Sequence, residues 1–132
     1  MPTVMLIFLG AGLGGVLRHG IGSAVHTWYG PTFPLGTLIV NVLGCLAMGV
    51  LTQMFSSTWP VREEVRLALL VGVLGGFTTF SSFGRETMAL LERGESGKAG
   101  LYVLLSNVLG IGAVWAGALL AKRLTPEAAA AS

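Results

Sequence analysis

The chain has 132 residues, 53% of them hydrophobic and only 11% charged, with a net charge of +2. That balance, with a mean hydropathy of +0.78, excludes an ordinary soluble domain, where about a quarter of residues are charged. No basic cluster stands behind the positive charge, so a nucleic-acid surface is excluded as well.

The apolar runs leave room for about four membrane spans and little else. The first is expected from about Thr3 to about His26. No basic stretch precedes it and its apolar run continues into glycines, so it reads as a mature span and not a cleaved signal. Gly10 and Gly14 are four apart, a spacing that lets another helix approach closely. Arg18 lies deeper than a snorkelling end residue, and Glu86 is its expected partner. His19 and His26, seven apart, share a helix face. The chain has no Asp and no acid before Glu63, which argues against a metal site there. Trp28 and Tyr29, in the loop up to Pro34, suit a membrane–water interface.

The second span is expected from about Leu35 to Phe55. Asn41 sits within it between valines. Its amide is either interhelical glue or a donor aimed at an anion. Cys45, the single cysteine, has no disulfide or metal partner and reads as a small buried hydrophobe. The third span, from about Val61 to Leu91, exceeds the ~20 residues of one straight crossing. Its middle reads Gly75-Gly-Phe-Thr-Thr-Phe-Ser-Ser-Phe-Gly84. Glycine weakens a helix, and hydroxyls compete for its backbone bonds. A helix break at mid-membrane, buried in protein or lining a wet cavity, is expected there. The competing reading is a packing face of small residues and hydroxyls. The fourth span, from about Ala99 to Leu120, carries Tyr102, Ser106 and Asn107, and Lys122 and Arg123 mark its end. Residues 1–124 therefore read as one all-α, four-helix membrane domain, and 125–132 as a short flexible tail.

Basic residues are nearly balanced between the two sides. Arg62, Arg66, Lys122 and Arg123 face Arg93, Lys98 and the deeper Arg18 and Arg85. A chain with balanced ends can insert both ways and pair antiparallel with a second copy. Four spans are also too few to enclose a conduit, so a homodimer is expected. No catalytic triad or paired carboxylate appears, so the chain does not read as an enzyme. The polar groups at span centres are mostly neutral donors, which favours an anion path over a proton-coupled cation path. Phenylalanine rings turned edge-on add a weak positive rim.

Three segments resemble the Fluc family of fluoride channels, also called CrcB proteins. They are Gly14-Gly-Val-Leu-Arg18, Gly36-Thr-Leu-Ile-Val-Asn41-Val-Leu-Gly44, and Gly75 through Phe83 followed by Glu86. The resemblance runs along nearly the whole chain. It implies an antiparallel, dual-topology homodimer in a prokaryotic inner membrane, passively exporting cytoplasmic fluoride through two pores. It places Asn41, Phe80 and Phe83 on the fluoride path, with Thr37, Ser81, Ser82, Tyr102 and Ser106 beside it and Arg18 in a vestibule. It also implies a structural sodium ion held by the carbonyls of Gly75 and Thr78. Ser82 stands where the family has threonine, Gly84-Arg85 replaces smaller polar residues, and Gly110 lacks a hydroxyl found in some members. A small dual-topology multidrug transporter is the nearest alternative, but it resembles proteins that need a first-span glutamate, which this chain lacks. A membrane scaffold would explain the small residues but not the phenylalanine–hydroxyl spacing.

Overall fold

The computed structural model describes residues 2–57 and 59–124, with the side chain of residue 57 left aside. All regular structure among these residues is helical. Four stretches are long and apolar enough to cross a membrane: Thr3–Tyr29, Leu35–Ser56, Glu63–Glu92 and Ser96–Leu124. The expected tail, 125–132, lies outside the described residues.

The first helix, α1 (Thr3–Tyr29), runs beyond the expected end because nothing before Gly30 stops it. Gly30 does, with φ of +98° and its N–H returned to the His26 carbonyl at 2.8 Å. Trp28 and Tyr29 thus sit on the last helical turn, exposed, and not in the loop. The second helix, α2 (Leu35–Ser57), starts directly after Pro34, whose carbonyl accepts the Leu38 N–H. The third stretch is composite. It opens with α3 (Glu63–Leu67), widens into a π-helical turn (Ala68–Val73), and continues as α4 (Leu74–Phe77). Thr78 and Thr79 are extended, and α5 (Phe80–Glu92) follows. The last helix, α6 (Ser96–Leu124), takes in Lys98 at one end and Lys122 and Arg123 at the other. At ~1.5 Å per residue these helices outrun a ~30 Å hydrocarbon layer, so their polar ends stand in the head-group region.

Glycines set the packing. A methyl group on Gly10 or Gly14 would strike the backbone carbonyls of Ala68 or Val73, and one on Gly76 would strike that of Ala11. Helix α1 and the α3–α4 stretch are therefore in backbone contact, as small-residue spacing allows. Gly49 meets the Val114 carbonyl and Gly117 the Leu46 carbonyl, which seats α2 on α6 the same way. Residue numbers rise together in both seams, so each pair runs parallel. The hairpin neighbours α1 and α2 run antiparallel, with Gly36 against Gly22.

The small apolar core lies under the α1–α2 loop. Leu38, Leu90, Ala99 and Tyr102 are buried there, packed by Phe33, Leu35, Val42, Phe83 and Leu105. Most other large apolar side chains point outward, including Phe8 at 74% and Trp115 at 68% exposure. In water that would be untenable; hydrocarbon is their natural solvent.

Candidate functional site

The site is built around the two extended residues. Thr79 caps α5, its Oγ1 accepting the Ser82 N–H at 3.2 Å. Its backbone pairs with Asn41 of α2: the Thr79 N–H donates to Asn41 Oδ1 at 2.8 Å, and Asn41 Nδ2 donates to the Thr79 carbonyl at 3.0 Å. Asn41 is therefore an interhelical clamp, and one N–H of its amide remains for another acceptor. The clamp diverts the N–H that would close a ladder bond on the Gly75 carbonyl. The cap likewise diverts the N–H that would reach the Thr78 carbonyl. The Thr78 N–H and Oγ1 both donate to the Leu74 carbonyl, at 3.0 and 2.9 Å.

Two cavities meet at this point, and Thr79 lines both. The larger, about 480 Å³, opens between α1, α2 and α5; Arg18, Thr37 and Ser82 are in its wall. The smaller, about 290 Å³, is lined by Asn41, Thr78, Phe80, Phe83, Ser106 and Asn107, among others. Phe80 and Phe83 stand with ring centroids 5.5 Å apart and planes tilted by 48°. Ser106 Oγ is buried without a hydrogen-bond partner among the described residues. A buried hydroxyl without a partner is costly unless something else occupies the space it faces. Asn107 bonds back to its own helix, Nδ2 to the Val103 carbonyl at 2.8 Å.

The remaining expected residues separate. Ser81 lines neither cavity; its hydroxyl shares a 3.3 Å hydrogen bond with Thr79 Oγ1. Tyr102 lies behind the wall, its hydroxyl donating to Glu86 Oε2 at 2.8 Å. Thr37 donates to Glu86 Oε1 at 2.8 Å, so α2 and α6 both converge on one carboxylate of α5. The Tyr102 ring packs against Phe83 at a tilt of 54°, centroids 5.1 Å apart, and meets Phe33 edge-on at 5.5 Å. The expected Arg18–Glu86 ion pair does not form. Glu86 is taken by the two hydroxyls, with Arg85 Nη2 at 4.0 Å, and Arg18 has no ion pair or side-chain hydrogen bond among the described residues.

Sequence reasoning missed two parts of this arrangement. One is Thr79 as the junction of both cavities; the preference of threonine for helix N-caps after a glycine-rich stop was the available signal. The other is Glu86 as the point where three helices join, which no local pattern announces. Among the described residues, no three His, Cys, Asp or Glu side chains cluster as metal ligands would.

Comparison with known proteins bears on this geometry. A relative from Methylobacterium nodulans, named "Fluoride-specific ion channel FluC", is 49% identical over 88% of this chain and 93% of its own length. One from Rhizobium etli with the same name is 40% identical over 94% of this chain and 99% of its own. Another, from Methylococcus capsulatus, is 46% identical over 92% of this chain, which spans only 54% of that relative's length. Residues 5–118 match the family model described as "CrcB-like protein, Camphor Resistance (CrcB)", and the chain belongs to that family.

Proposed function

We propose that the chain forms a fluoride-selective passive channel that lets cytoplasmic fluoride leave across a prokaryotic inner membrane. The observation that carries this reading is the smaller cavity. Its polar groups are hydroxyls, among them the unpartnered one of Ser106, and neutral amides, its aromatic pair is tilted, and no acid is among its described lining residues. Such a wall offers donors and ring edges to an anion and no carboxylate to a coupled proton. The names of the similar proteins supply the cargo. Fluoride enters cells as its neutral acid and is trapped as the anion; a negative-inside potential then drives it out without a coupled energy source.

Phe80 is 83% exposed in the single chain, although it stands beside hydroxyls at the interrupted helix. That supports a working unit of two antiparallel copies, with the extended pair Thr78–Thr79 as a mid-membrane break. Asn41, Phe80, Phe83, Ser106, Thr37 and Ser82 would line the path, with Ser81 and Tyr102 supporting it and Arg18 at the wide mouth. The carbonyls of Gly75 and Thr78, both without their ladder donors, fit a hard monovalent cation such as sodium. Bound there, it would add fixed positive charge and join copies through carbonyl oxygen.

The test is purified protein in liposomes, with fluoride efflux followed by an ion-selective electrode and chloride as control. Rapid fluoride loss with chloride retained is expected. Equal loss of both ions, or loss of neither, overturns the reading.

A further inference from the structure

The larger cavity holds more positive charge than a passage for one small anion requires. Arg18, His19 and His26 of α1 line it together with Arg85 and Glu86 of α5. The Glu86 carboxylate is bonded by the Thr37 and Tyr102 hydroxyls, while Arg18 has no partner among the described residues. Two guanidinium groups against one carboxylate leave the wall at +1 with neutral imidazoles; two imidazolium charges bring it to +3.

The other charged groups at this end, Glu92, Arg93, Glu95 and Lys98, lie outside the cavity wall. Lys98 of α6 reaches the Thr32 carbonyl at 3.4 Å and pairs with Glu95 at 3.6 Å, and Glu95 also holds Arg93. Helix α2 contributes no charge to the cavity wall. Arg62 and Glu64, and Arg66 and Glu63, pair with one another. They lie toward the opposite end of α1, whose seam with that stretch runs from Gly10 at Ala68 onward. Nine residues of helix, about 13 Å, separate Gly10 from His19, and the two ion pairs carry no net charge between them.

We propose that His19 and His26 are anion-gathering residues of this mouth, which make fluoride capture stronger as the pH falls through the imidazole range. The inference rests on the channel reading above and concerns how the same path is fed. Its physical basis is electrostatic focusing: a cleft wall of one sign raises the local concentration of the opposite ion, and histidine is the side chain that changes charge between pH 5 and 8. The sign follows directly. Protonation adds positive charge, so anion occupancy rises with acidity and falls with alkalinity. Because the two imidazoles are exposed, salt should abolish the effect.

The experiment measures fluoride flux in liposomes at pH 6 and pH 8, at low fluoride and low ionic strength. Leakage of the neutral acid through protein-free vesicles is subtracted. The wild-type ratio of flux at pH 6 to pH 8 should be about threefold, falling toward one in high salt. In the His19→Gln, His26→Gln double variant the ratio should be close to one even in low salt. A ratio that persists in the double variant, or a wild-type ratio of one, overturns the proposal. A second readout is independent of transport: the NMR titration midpoints of both imidazoles in detergent should rise when fluoride is added. No rise refutes the proposal. A rise in protein that passes no fluoride would sustain the anion site and defeat the channel reading instead.

Discussion

The third stretch has two halves that are held by different means. Before Thr78 it is fixed by backbone contact: Gly10, Gly14 and Gly76 let α1 lie directly on the π turn and α4. After Thr79 it is fixed by hydrogen bonds and rings, through Asn41, Thr37 and Tyr102. In a membrane, close backbone packing replaces the hydrophobic effect as the source of rigidity, since lipid tails compete equally for apolar side chains. The first half can therefore be a rigid base, while the second half combines its share of the small core, at Phe83 and Leu90, with the polar groups of the site.

The largest disruption should come from the base. Gly14→Leu places a side chain against the Val73 carbonyl, so the helices must separate. A stability loss of about 3 kcal/mol is expected, read as a lowered thermal midpoint of helical circular dichroism in detergent. An unchanged midpoint would mean that this seam does not support the fold.

The next effect should fall on transport with the fold retained. Asn41→Asp keeps the acceptor for the Thr79 N–H but turns a carboxylate oxygen toward the Thr79 carbonyl, where a donor stood. Fluoride flux should drop more than tenfold while helical content stays at the wild-type level. Wild-type flux across pH 6 to 8 would remove the clamp from the path.

The smallest effect should come from Tyr102→Phe, which deletes one hydroxyl on Glu86 and keeps the ring contacts with Phe33 and Phe83. The expected cost is about 1 kcal/mol of stability, because Glu86 keeps Thr37 and some contact with solvent. Flux should fall less than tenfold. A larger loss would place the Tyr102 hydroxyl on the path itself and not behind its wall.

Helix number and order were legible in the sequence because runs of apolar residues report directly on membrane crossing. Gly75, Gly76 and the hydroxyls that follow are poor helix formers whatever surrounds them, and that local weakness is also plain in the sequence. Partnerships were not. Arg18 and Glu86 looked like a pair by charge, yet two neutral hydroxyls from other helices reach the carboxylate first. Asn41 could be read two ways because its role depends on a backbone 38 residues away. Helix ends were also misjudged: hydropathy marks where lipid stops, whereas a helix continues until a residue such as Gly30 ends it.

The wide turn at Ala68–Val73 also bears on chain length. A π turn accommodates about one residue more than the α ladder around it, so it behaves as an insertion stored within a continuous helix. Removing a single residue there, such as the outward-facing Val71, would let the ladder revert to α spacing without opening a gap in the chain. The surplus is what the turn absorbs, so the flanks would keep their places, Gly76 on Ala11 and the threonine junction on Asn41. A deletion in the regular helix on either side has no surplus to draw on and would turn the polar half away from Asn41. The third stretch therefore tolerates a loss of one residue at this turn and nowhere beside it.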